Sequence, residues 1–220
     1  MPSPFDQSAY QVRLEWGAEG LARLAPADVV VVVDVLRFSS TMADAVAAGT
    51  EVALQDAVTW STNGAAVVKA AESSGAVVLI GGIRNAAATA RAVMTLQERR
   101  ADRTSVTVIA AGERASDGGL RFAVEDQLGA GAVVAALTER GIDHSAPEAA
   151  VAAESFHSLR RALRHLLSAS GSGRELVDGV VSTARMAEAG IHPATTAEAA
   201  ELDAVDAVPV LRDGAFVRFA

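Results

Sequence analysis

The chain has 220 residues, a net charge of −8 and no cysteine; half of it is hydrophobic and only 4% is aromatic. The acidic balance, with no basic run or stripe, excludes general binding to nucleic acid or to an anionic membrane surface. Without Cys there are no disulfides, thiolate nucleophiles or Cys-ligated metals. No apolar run approaches the ~18 residues needed to span a bilayer, and the N-terminus is too polar for a signal peptide. A soluble, cytoplasmic protein is expected, with no nucleic-acid or membrane partner. Homodimer formation stays open.

Tyr10 to Trp16 alternates weakly and reads as an opening strand, and Gly17 to Leu24 has helical spacing. Val29-Val30-Val31-Val32-Val33 is a continuous β-branched run, which suits a strand buried on both faces of a parallel sheet. It ends at Asp34. Ser39-Ser40-Thr41 then read as the cap of a helix running to about Ala48 and stopped by Gly49.

The cycle repeats as short strands at Glu51–Leu54, Ala76–Ile80 and Ser105–Ala110. Helices are expected at Ala65–Glu72, Ala86–Arg99 and Glu125–Arg140. Such alternation with short connections implies right-handed crossovers and a mainly parallel sheet. From Pro147 to Ala189 the pattern is helical, broken at Ser170-Gly171-Ser172-Gly173. Ala207–Leu211 and Ala215–Phe219 flank Arg212-Asp213-Gly214, a hairpin signal. The expected fold is α/β: a layered α/β/α body with a mainly parallel sheet and a C-terminal β-hairpin. One domain over 1–220 is expected, with the late helical part, 142–190, a candidate sub-lobe.

In open α/β sheets ligands bind outside the carboxyl ends of the strands. Here those exits carry Asp34, Arg37, Ser39, Ser40 and Thr41, then Ser61-Thr62-Asn63-Gly64, then Gly81-Gly82-Ile83-Arg84-Asn85. Ala111-Gly112-Glu113-Arg114 and Glu125-Asp126 complete the set. Helix N-termini, the hydroxyls of Ser39, Thr41 and Thr62, and the Asn63 amide can hydrogen-bond an oxyanion. Arg37 and Arg84 can clamp phosphate or sulfonate with their forks. Asp34, Glu125 and Asp126 offer oxygen ligands to Mg²⁺, which takes few carboxylates and keeps waters.

Taken singly, each of these residues has a plainer reading. An Asp at a strand end is a turn or cap residue, Thr-Asn-Gly is ordinary turn chemistry, and Glu125-Asp126 places acid at a helix N-terminus. Gly129-Ala130-Gly131 is explained by close helix packing. His144, His157, His165 and His192 have no metal-ligand spacing, and there is no nucleophile elbow and no Walker sequence.

The ordered set of motifs resembles the 2-phosphosulfolactate phosphatase (ComB) family. It comprises Val31-Val32-Val33-Asp34-Val35-Leu36-Arg37-Phe38-Ser39-Ser40, Ser61-Thr62-Asn63-Gly64, Gly82-Ile83-Arg84-Asn85, Ala111-Gly112-Glu113-Arg114 and Phe122 to Gly131, with a similar close at Val208 to Gly214. The resemblance implies a layered α/β, Mg²⁺-dependent acid phosphatase that hydrolyses the phosphomonoester of a small anionic acid. Asp34, Arg37, Asn63, Arg84, Glu125 and Asp126 fall on matching motif positions. They give Asp34, Arg37, Glu125 and Asp126 as catalytic candidates. The substrate-binding candidates are Ser39, Ser40, Thr41, Thr62, Asn63, Gly64, Arg84 and Asn85; the metal candidates are Asp34, Glu125 and Asp126. The rival readings are a non-catalytic relative that binds an anionic metabolite, and an isomerase or lyase of a small phosphorylated acid.

The sequence departs from the family pattern at two points. Leu54 passes to Thr59 where the family carries a further segment with a Gly-Glu-Arg-like turn and a Ser-Asn-Ser-Pro or Ser-Pro-Ala-Ser-like sequence. Ser39-Ser40 also replaces the commoner Thr-rich triplet after the Arg.

Overall fold

The computed structural model describes residues 3–220. In chain order it runs β1 (Val12–Trp16), α1 (Gly17–Arg23), β2 (Val29–Val33), α2 (Ser40–Ala47), β3 (Val52–Ala53), α3 (Leu54–Trp60), α4 (Gly64–Glu72) and β4 (Val77–Ile80). It continues with α5 (Ala86–Arg100), β5 (Val106–Ala110), the small strands β6 (Glu113–Arg114) and β7 (Leu120–Arg121), and α6 (Val124–Thr138). The rest is α7 (Pro147–Leu159), α8 (Leu163–Ala169), α9 (Gly171–Asp178), α10 (Val181–Glu188), α11 (Thr196–Ala199), β8 (Pro209–Arg212) and β9 (Ala215–Arg218).

Seven strands form one sheet in the order β1-β5-β2-β4-β8-β9-β3. The first four are mutually parallel, and β8, β9 and β3 then alternate in direction. Strand β2 lies inside the sheet, so both of its faces are covered. Val29, Val31 and Val33 pack under α5, α6 and α7, whereas Val30 and Val32 pack under α2, α3 and α4. One apolar run thus feeds both cores, which is the layered α/β/α arrangement expected from its composition. Asp213 and Gly214 both have positive φ, 51° and 77°, the geometry of a two-residue hairpin turn.

Helix α6 owes its small residues to close approach. A Cβ on Gly131 would lie 2.1 Å from the Ala152 carbonyl oxygen of α7, and one on Gly129 would lie 2.4 Å from the Val35 side chain. Backbone cannot yield to a methyl group at that distance, so overpacking should cost about 1–3 kcal/mol. Gly131→Ala is expected to lower the unfolding free energy measured in urea by that amount; an unchanged value would show that α7 can move away.

Two local expectations are corrected and a third is refined. Residues 54–60 are not a direct passage to the next loop but helix α3, which buries Leu54, Ala57 and Trp60 at helical spacing. Ser39 does not cap α2: its own backbone is already helical, and its hydroxyl accepts the Asp34 N–H at 2.9 Å within a wide turn, Val35–Ser39. The expected break at Ser170 to Gly173 is present, since α8 ends at Ala169, and the same residues start α9, because the Ser170 hydroxyl accepts the Gly173 N–H at 3.0 Å.

The late helices span both sides of the sheet. Ala149, Ala152, Phe156, Leu163 and Leu167 join the core on one face, and Met186 and Ile191 the core on the other. The chain between them, α9 and α10, therefore crosses the carboxyl edge of the sheet. Among the described residues no helix is long and apolar enough to cross a membrane.

Candidate active site

The exit of β2 supplies Asp34 and Arg37. The loop before α4 supplies Ser61, Thr62 and Asn63, and the exit of β5 supplies Glu113. Together with Ser172, Glu175 and Ser182 of the crossing helices, they line one cavity of about 150 Å³. A neighbouring cavity of about 160 Å³ shares Glu113, Ser172 and Glu175 and adds Glu125 and Arg121.

Asp34 is buried, and its Oδ2 accepts the Gly64 N–H at 2.9 Å and the Ser61 hydroxyl at 3.1 Å. Only glycine permits this: a Cβ at position 64 would lie 2.6 Å from that oxygen. The Gly of Ser-Thr-Asn-Gly therefore exists to bring the start of α4 against the carboxylate. Burial pushes the Asp34 pKa up to about 6, with the Gly64 and Ser61 hydrogen bonds pulling it back and the Glu113 charge raising it further.

Asn63 turns its amide away from the helix end and donates to Glu113 Oε1 at 2.7 Å. Ser172 on α9 donates to Glu125 Oε1 and lies 3.3 Å from Glu113 Oε2, so one hydroxyl links the two glutamates. Glu113 is not one of the catalytic, substrate-binding or metal candidates that the sequence offers. Its signal was there, in Ala111-Gly112-Glu113-Arg114 at a strand exit. Ser172 and Ser182 gave no signal, because nothing local says that their helices cross the sheet edge.

Asp126 plays a different part from Asp34. Its Oδ1 accepts the Val35 N–H at 2.7 Å and its Oδ2 the Gly112 N–H at 2.9 Å, tying the exits of β2 and β5 together. Burial raises its pKa well above the ordinary carboxylate range, and the charges of Asp34 and Glu125 push the same way. With both oxygens committed to backbone, Asp126 is a poor metal ligand. Among the described residues no group of three His, Asp or Glu side chains is disposed to hold an ion. The expected trio Asp34, Glu125 and Asp126 is thus not gathered as a ligand set. What the cavity offers a hard cation is Asp34 and Glu113 plus room for water, a donor set that suits an ion needing only one or two carboxylates.

Arg37 is 9% exposed, and among the described residues no carboxylate pairs with it. Its Nη2 donates to the hydroxyls of Thr183 and Ser182 at the start of α10, and its Nε has no partner. Burial lowers its pKa. Buried guanidinium groups are normally paired, whereas this one lies on the cavity wall with Nη1 unbonded among the described residues, an arrangement able to receive an anion.

The remaining candidates lie elsewhere. Arg84 is 2.7 Å from Asp44 and 3.3 Å from Glu201, and also donates to the Glu198 carbonyl, so its fork is occupied away from the cavity. Asn85 donates to the Ile80 and Ala207 carbonyls. Ser40 donates to the Val35 carbonyl, and Thr41 accepts the Ala194 N–H. These four, with Ser39, hold the loops in place. The loop after Ile80 turns away from the cavity because Arg84 pairs with Asp44 and Glu201 and Asn85 donates to the Ala207 carbonyl.

Fold and cavity together describe an α/β enzyme scaffold with a carboxylate-rich, guanidinium-bearing cleft at the strand exits. The chain belongs to the 2-phosphosulpholactate phosphatase family, whose pattern matches residues 50–214, three quarters of its length. The family consists of metal-dependent phosphoric monoester hydrolases. Asp34 and Arg37 precede the matched span and join it through the fold. No curated protein matches the chain.

Proposed function

We propose that the chain is a cytoplasmic, Mg²⁺-dependent phosphomonoesterase that works in the cavity between Asp34 and Arg37. The observation that carries this reading is Arg37, a buried guanidinium with no carboxylate partner among the described residues, on the same cavity wall as the buried Asp34 and the half-buried Glu113. Arg37 would receive the phosphoryl oxygens on Nη1, which makes no hydrogen bond among the described residues, while Ser182 and Thr183 hold Nη2 in register. Ser61 and the Gly64 N–H fix the Asp34 carboxylate, and Asn63 fixes Glu113, so neither acid has to reorganise when charge develops. Thr62, at the rim, adds a hydroxyl donor.

The cavity wall supports the need for a cation. Asp34, Glu113 and Glu175 face a single guanidinium, so a phosphoester dianion would meet net negative charge. Mg²⁺ held by Asp34 and Glu113 would supply that missing positive charge and polarise a phosphoryl oxygen. Asp126 serves this arrangement by positioning the two exits.

An aryl phosphate assay tests the reading directly. Inorganic phosphate should be released with Mg²⁺ and not with EDTA. Anion binding without phosphate release in Mg²⁺ would instead support the rival reading of a binding relative, which the missing family segment favours. Metal binding also has a readout independent of turnover. At a hundredfold excess over its dissociation constant, Mg²⁺ should stabilise the fold by about 2.7 kcal/mol. That is a rise in Tm of several degrees for a chain of this size. Glu113→Gln should shrink the shift; a wild-type Tm indifferent to millimolar Mg²⁺, with and without phosphate, would remove the metal from the mechanism.

A further inference from the structure

The family takes its name from an ester carrying three acidic groups on three carbons: phosphate, carboxylate and sulfonate. The cavity of this chain is built for fewer. Its wall holds three carboxylates, Asp34, Glu113 and Glu175, against one guanidinium, Arg37. A divalent cation would bring that set to neutrality, and a phosphoester dianion then uses all the positive charge present.

The adjoining cavity does not make up the deficit. It sets Arg121 against Glu113, Glu125 and Glu175, again three carboxylates to one guanidinium. Arg84, which a family reading places among the anion binders, is neutralised by Asp44 and Glu201 outside both cavities. A carboxylate or sulfonate on the substrate would therefore lie among carboxylates with no cation to meet it, and like charges placed together are a strong element of rejection.

The same wall suits hydroxyl groups. Carboxylate oxygens accept hydrogen bonds only, whereas Ser61, Thr62 and Ser182 both donate and accept. A hydroxyl can donate to the first kind and exchange bonds with the second. We infer that the substrate is a phosphomonoester whose organic part bears hydroxyls and no second acidic group, a small polyol or sugar phosphate. This deepens the phosphatase reading and rests on it.

The test is a series on one three-carbon frame: glycerol 2-phosphate, 2-phosphoglycerate and 2-phosphosulfolactate, with one, two and three acidic groups. At constant ionic strength with Mg²⁺, kcat/KM should fall at least tenfold from the first to the second, a difference of about 1.4 kcal/mol, and fall again to the third. Glu175→Arg, at an exposed position, should narrow the gap between the first two by supplying the missing cation. Equal or better turnover of the acids by the wild type would overturn the inference. If none of the three releases phosphate, the phosphatase reading fails separately. Calorimetric binding of the same series with Mg²⁺ then ranks them and decides the inference: tightest binding by glycerol 2-phosphate sustains it, and tighter binding by either acid ends it.

Discussion

Replacing Arg37 by Ala is expected to lower kcat/KM for an aryl phosphate by about 10²–10³ while leaving the fold close to its wild-type stability. The first half follows from preorganisation. A donor already aimed at the position of the anion needs no rearrangement as charge develops, and loss of one such donor typically costs that factor. The second half follows from burial without a partner. A guanidinium that is 9% exposed and makes no ion pair carries a desolvation cost that no carboxylate offsets. Its removal takes that cost away, and the hydroxyls of Ser182 and Thr183, both only partly buried, can turn to water. Arg37→Lys should not rescue turnover, because an ammonium cannot reproduce a fork that contacts the anion on one edge and α10 on the other. The measurements are steady-state turnover and a thermal melt on each variant. Wild-type turnover in Arg37→Ala would make Arg37 a purely structural residue.

The contrast between Arg37 and Arg84 marks how far the sequence could be read. Both are arginines just past a buried strand, and both sit in motifs of the family. What separates them is distant along the chain: Asp44 is 40 residues from Arg84 and Glu201 is 117. No local pattern reports those partners, so the two looked alike. Asp34 and Asp126 present the same difficulty. Both are buried acids near the carboxyl ends of the strands, Asp34 at the exit of β2 and Asp126 in the first turn of α6, yet one faces the cavity and the other binds two backbone N–H groups, one of them 91 residues away.

The scaffold was legible where local physics decides it. Val29–Val33 can only be a strand covered on both sides, Asp213-Gly214 can only be a tight turn, and Gly129 and Gly131 mark backbone approach. The parts that escaped are those set by tertiary context. Helix α3 is short and weakly patterned, and is held by burial of Leu54, Ala57 and Trp60. Helices α9 and α10 read simply as helical, with nothing to say that they close the cleft and bring Ser172, Glu175 and Ser182 to it.

The second large effect concerns Asp34, where activity and stability should respond to the same carboxyl group. Asp34→Asn is expected to reduce turnover on the order of 10³, since under the proposed function it removes the charge that would face the phosphoryl group and help to hold the cation. The stability effect has a definite sign. Burial places the Asp34 pKa at about 6 in the folded chain against an ordinary 3.8, so between those values the folded state binds the proton more tightly. The stabilisation is therefore fully present below about pH 4 and is lost as the pH rises through 6. A shift of about two units corresponds to roughly 3 kcal/mol at most. Metal-free protein should accordingly melt several degrees higher at pH 5 than at pH 7.5. Asp126, raised in the same direction by burial, adds to that slope. In Asp34→Asn much of the slope should vanish, with the fold retained, because an Asn carbonyl oxygen in the place of Oδ2 can still accept both the Gly64 N–H and the Ser61 hydroxyl. Mg²⁺ acts on the opposite form of the acid. A cation favours the ionised carboxylate, so the rise in Tm that it produces should grow between pH 5 and pH 7.5 and flatten the metal-free slope. An Asp34→Asn melt that follows pH as steeply as the wild type would assign the titration to another group. A Mg²⁺ shift of the same size at both pH values would place the cation away from Asp34.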